Sequence, residues 1–204
     1  MLRKKERKTT MKTIMIISVA VGMITISACS LMAGDNDTGS TIKTQRAQQK
    51  KERQAQIQQQ KQENKEFRKS TKDLKGTDKT DAVVQHKESQ YQENKVFTQQ
   101  QHDENMTFLK EKLANNTKLT DAQKTELTTF FESQYKENVS FRDKQHGENI
   151  AYFESVANDS TLTIDQKKAK LKEYFTKQKS ETKDHIQQQK SERKAEREKI
   201  APNK

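Results

Sequence analysis

The chain has 204 residues, a net charge of +11 and only 29% hydrophobic side chains. Many of those lie in the first 32 positions, and the rest is rich in Lys, Gln, Glu, Asn and Thr. Such a composition excludes the Val-, Ile- and Leu-rich buried strands of an α/β enzyme and suits long polar helices.

Residues 1–28 read as a signal peptide of the lipoprotein type. Met1-Leu-Arg-Lys-Lys-Glu-Arg-Lys is basic, and an apolar stretch runs from Ile14 to Ile26. That stretch is short for a membrane span, which needs about 20 apolar residues, and it fits a signal h-region. It ends in Ile26-Ser27-Ala28-Cys29, which resembles the bacterial lipobox. Cys29 is therefore expected to carry covalent lipid, and no other cofactor is implied. It is the only cysteine, so no disulfide within the chain is possible. The expected location is the cell envelope, anchored by lipid. In a Gram-negative cell, Ser30 after the cysteine resembles a signal for the outer membrane, facing the periplasm. Export separates the chain from nucleic acid, so none is expected as a partner.

Residues 29–42 read as a lipidated flexible tether. Residues 43–79 form a basic arm rich in Gln and Lys, helical or disordered, because its good helix formers have little to bury. From Ile42 to Lys79 there are twelve basic and five acidic residues, whereas Thr80 to Thr176 carries thirteen and sixteen. The chain turns basic again from Lys177 onward. Basic arms around a near-neutral middle suggest solvated surface, or contact with an anionic envelope polymer.

Residues 80–200 read as a helical repeat domain, with turns near 115–120 and 158–163. Ser89-Gln-Tyr-Gln-Glu-Asn-Lys-Val-Phe97 matches Ser133-Gln-Tyr-Lys-Glu-Asn-Val-Ser-Phe141, an offset of 44. His102 and His146, with Glu104 and Glu148, fall in the same register. A fainter echo sets Gln62-Glu-Asn-Lys-Glu-Phe67 against Gln92-Glu-Asn-Lys-Val-Phe97. Each turn opens with a capping box, Thr120 with Gln123 and Thr163 with Gln166, expected to stabilise its helix by about 1 kcal/mol. Apolar residues spaced by three and four mark narrow stripes. Short loops between long helices imply antiparallel neighbours. The expected fold is all-α, an extended antiparallel array of long helical hairpins, as a cradle or a thin helical bundle. Narrow stripes leave an apolar face partly exposed, or covered by a second copy in a homodimer.

No phosphate loop, zinc signature or nucleophile elbow occurs, so no enzyme activity is expected. His102, Glu104, His146 and Glu148 are weak candidates for a metal site, since residues two apart do not share a helix face. Phe130, Phe131, Tyr135, Ile150, Phe153, Tyr174 and Phe175 are either helix–helix core or an apolar face that binds unfolded chains.

Leu119-Thr-Asp-Ala-Gln123 and Leu162-Thr-Ile-Asp-Gln166 resemble the paired signature of the Spy and CpxP family of envelope proteins. That resemblance implies a thin cradle of long helical hairpins, dimerisation, and an ATP-independent chaperone or envelope-stress accessory that binds unfolded or partner proteins. The two motifs stand closer together here than in that family, and the middle of the chain is slightly acidic where the family's cradle is basic. The alternative functions are a structural or adhesive helical spacer, and metal binding in the envelope.

Overall fold

The computed structural model describes residues 36–200, with side chains from Ile42 onward. The signal peptide, Cys29 and the beginning of the tether lie outside the described residues. Four helices follow in order: α1 (Asn36–Ser70), α2 (Gly76–Ala114), α3 (Asp121–Asn158) and α4 (Ile164–Ile200). They span 35, 39, 38 and 37 residues, or about 55 Å each at 1.5 Å per residue. The only proline is at position 202, so none interrupts a helix. Consecutive helices pack side by side and run antiparallel. The basic arm is thus helix apart from the turn at residues 71–75, and α1 begins inside the segment expected as tether. Once a helix is nucleated, each further residue adds a hydrogen bond at little cost.

The turns explain where helices stop. Gly76 opens α2 with φ +56°, in the left-handed region that glycine alone adopts freely. Lys79 Nζ donates to the carbonyls of Thr71 and Leu74, both at 3.1 Å, closing the end of α1. At the next turn the Thr120 amide donates to Gln123 Oε1 at 2.9 Å, and the Gln123 amide donates to Thr120 Oγ1 at 3.2 Å. Thr163 and Gln166 repeat both bonds at 2.8 and 3.3 Å. Lys167 Nζ then closes α3 through the Ala157 carbonyl at 2.6 Å.

The apolar residues do not form one continuous stripe. Met106, Leu109, Leu113, Leu127, Phe131 and Ile200 are buried together where α2 ends and α3 begins. Phe153, Val156 and Leu171 form a second cluster at the opposite end, where α3 meets α4, with Val83 and Val84 against it. Leu119 and Leu162, each just before a capping threonine, pack against the first and second cluster respectively. Neither cluster contains a residue of α1. Between them the buried side chains are polar: Gln49, Gln90, Gln101, Gln134, Asn138, Gln178 and Gln189 are all at most 9% exposed.

Candidate functional site

The polar middle has a regular plan. Gln90, Gln134 and Gln178 are 44 apart, as are Gln101, Gln145 and Gln189; within each helix the two glutamines are 11 apart. Gln49 and Gln60 place α1 in the same scheme at an offset of 41. Carboxylates follow the same spacing, at Glu52, Glu93, Glu137 and Glu181. All four helices are therefore copies of one unit. The offset of 30 suggested by the Gln62–Phe67 echo is superseded, because packing pairs Asn64 with His86 and Asn105 with Gln45. Those two contacts exchange under a shift of 41. Eleven residues make three turns of 3.67 residues, close to the natural helical repeat, so each face runs almost straight.

Each unit has two contact faces. One carries the glutamines and joins α1 to α2 and α3 to α4. Across α3 and α4, Gln134 Nε2 donates to the Gln189 carbonyl at 3.5 Å, and Gln189 Nε2 returns the bond to the Gln134 carbonyl at 3.3 Å. Asn138 Nδ2 donates to Gln189 Oε1 at 2.5 Å. Gln145 Nε2 donates to the Gln178 carbonyl at 3.2 Å, the repeat-related contact. Across α1 and α2, Gln49 Nε2 donates to Asn105 Oδ1 at 2.9 Å, and Gln101 Nε2 to Glu52 Oε2 at 2.6 Å.

The other face carries tyrosine and histidine and joins α2 to α3. Tyr91 stacks on His146 with ring centroids 3.8 Å apart, and Tyr135 stacks on His102 at 3.7 Å. His146 Nε2 meets Glu88 Oε2 at 2.6 Å, and His102 Nε2 meets Glu132 Oε2 at 3.2 Å. Tyr91 OH donates to Asp143 at 2.6 Å, and Tyr135 OH to Gln99 at 2.7 Å. Each pair of contacts exchanges under a shift of 44, so the hairpin has an internal pseudo-two-fold axis. Burial, then the bond to Asp143, raises the Tyr91 phenol above its usual range. Burial would raise Asp143, but Tyr91 and Lys95 hold its carboxyl below the usual value. Bonds from Gln92 and His146 lower Glu88 in the same way.

All four histidines stack on an aromatic ring of a neighbouring helix, the other two pairs being Phe67 with His86 and Phe141 with His185. This separates the candidate metal residues. His102 and His146 lie opposite tyrosines, about 16 Å apart along the hairpin at 1.5 Å per residue. Glu104 receives the Gln100 amide at 3.0 Å, and Glu148 receives that of Gln178 at 3.3 Å. No group of three His, Cys, Asp or Glu placed to hold a metal occurs among the described residues.

The candidate apolar face is divided in the same manner. Phe130 and Phe131 belong to the first cluster, Phe153 and Phe175 to the second. Tyr135 lies in the tyrosine seam, Tyr174 stacks on Tyr152 at 3.9 Å, and Ile150 is half-buried. Phe130 and Phe153 stand near opposite ends of the single 38-residue helix α3, about 35 Å apart at 1.5 Å per residue, so these seven residues do not share one surface. Among the described residues, only Ile57, Val96 and Ile164 are large apolar side chains with substantial exposure. Val96 and Phe108 line an open groove of 1180 Å³ between α1 and α2. No helix among the described residues is long and apolar enough to cross a membrane.

The glutamine positions, missed as core by apolar periodicity, were visible as the 11- and 44-residue recurrence of one residue type. No family model, curated protein or solved structure matches the chain.

Proposed function

We propose that the chain is an extracytoplasmic helical spacer and binding protein, held to a membrane through lipid on Cys29. The observation that carries this reading is the placement of the apolar residues. They are spent inside two small end clusters, and the long middle is joined by hydrogen bonds and ring stacking. A protein that holds unfolded chains needs a broad accessible apolar face; here the large exposed apolar residues are isolated. Helices of about 55 Å, by contrast, suit separation of an anchor from a contact surface. The open groove beside Val96 and Phe108 favours the chaperone reading instead, and it is the feature a client would use. The two readings separate in a light-scattering assay. The intact protein at equimolar amount should leave aggregation of a denatured client unchanged; suppression would replace the spacer reading with the chaperone one.

A further inference from the structure

The face that carries tyrosine and histidine in α2 and α3 changes character in the two flanking helices. In α2 it reads Val84, Tyr91, Lys95, His102 and Met106; in α3 it reads Thr128, Tyr135, Val139, His146 and Ile150. The equivalent positions in α4 are Lys172, Lys179, Lys183, Lys190 and Lys194. In α1 they are Lys43, Lys50, Gln54, Lys61 and Lys65. Every one of these nine lysines is exposed. Only Lys194 has a carboxylate in reach among the described residues, Glu198 at 3.7 Å. At 100° per residue each set falls within an arc of about 60° and extends about 33 Å. The other acidic residues of each helix's central part, such as Glu181 and Glu192 in α4 or Glu52 and Glu63 in α1, lie on different sides.

The charge is also distributed by helix. α1 holds nine basic and four acidic side chains, and α4 holds twelve and seven. α2 holds five and seven, and α3 four and seven. Both rows of cations therefore belong to the basic helices at the two ends of the chain's helix order.

We propose that the lysine row of α4, with its counterpart on α1, binds a linear phosphodiester polymer. The α4 cations recur along a nearly straight line, at gaps of seven and four residues in alternation, or about 10 and 6 Å. A flexible chain of repeating anions can follow such a line, and lysine suits phosphate as a point charge. A helix that lies in a membrane surface sets apolar residues beside its cations. Here one flank of the α4 row is Thr176, Ser180, Gln187 and Ser191, all exposed, while the apolar residues of the other flank, Phe175 and Ile186, are half-buried on the side towards α3. The row is thus built for a soluble polymer more than for a bilayer. The inference rests on the spacer reading only in taking the protein to act by binding, and client aggregation does not report on it.

The test is titration of the intact protein with synthetic polyglycerol phosphate across a range of salt. The five lysines of the α4 row predict that the logarithm of affinity falls against that of salt with a slope of about −3.5, at about 0.7 per phosphate, and steeper where the α1 row also engages. Replacing Lys179, Lys183, Lys190 and Lys194 by Gln should weaken binding at least tenfold and flatten the slope. Replacing Lys75, Lys110, Lys136 and Lys144 by Gln removes equal charge elsewhere and should change it less than threefold. Equal loss in both variants, or binding insensitive to salt, overturns the proposal. So does absence of polymer binding alongside a row-dependent preference for phosphatidylglycerol over phosphatidylcholine vesicles.

Discussion

A histidine against a flat ring is a recurrent solution in this molecule, and its consequence is clearest at His86. Its ring stacks on Phe67 at 4.1 Å, and its Nε2 meets Asn64 Oδ1 at 3.1 Å. Burial, followed by the charge of Lys87, lowers its pKa below the ordinary imidazole value, while Glu63 opposes the shift. A histidine whose folded pKa lies below the unfolded value contributes stability above the unfolded pKa. That contribution is lost as pH falls below about 6.5 towards the folded value. Acidification from pH 7 to 5 should therefore loosen α1 from α2. Amide exchange along α1 would show it, as lower protection at pH 5 after correction for intrinsic rates. His86→Gln, which copies the repeat-equivalent Gln45, should remove that dependence. A wild-type-like pH profile in the variant would place the cause elsewhere.

At the scale of the helix, termini matter more than interiors, because so little apolar surface holds each rod. Thr120 satisfies the Gln123 amide, and Gln123 in turn serves the Thr120 amide and reaches the Ile200 carbonyl at 3.2 Å. Thr120→Ala should lower stability by about 1 kcal/mol in urea unfolding, with an unchanged m-value; no loss would mean that the terminus frays in solution. These caps were legible in the sequence because a box depends on residues three apart. So was the all-α architecture, from composition, the spacing of Leu127, Phe131 and Tyr135, and the short turns. The division of the core was not legible. Periodicity assigns Phe131 and Phe153 to one helix, but only the antiparallel partner decides which end each one meets. The role of α1 was missed for a related reason: Gln49 and Gln60 resemble solvated surface until their counterparts Gln90 and Gln101 reveal the same register. A polar side chain becomes core through its partner, and hydrophobicity carries no trace of that pairing.

Across the described residues, one unit used four times leaves the tyrosine-equivalent faces of α1 and α4 without a partner helix. The tyrosine face pairs with its own copy between α2 and α3, so the same face on another helix would accept a further partner. Repeat proteins need terminal units with a polar outer side, and lysine at Lys50, Lys61, Lys179 and Lys190 supplies one on both flanking helices. Like charges facing each other across a seam would oppose both closure and growth. The four changes Lys179→Tyr, Lys183→Val, Lys190→His and Lys194→Ile write the α3 face onto α4. A self-complementary face generates a two-fold pair, so sedimentation should reveal concentration-dependent association beyond any shown by the parent. The same lysines changed to Gln should leave the parent's distribution unaltered, since charge removal without ring stacking creates no seam. If the rewritten chain sediments like the parent, lysine is not what stops the array. The stacked pairs of α2 and α3 would then owe their strength to the short turn that joins them.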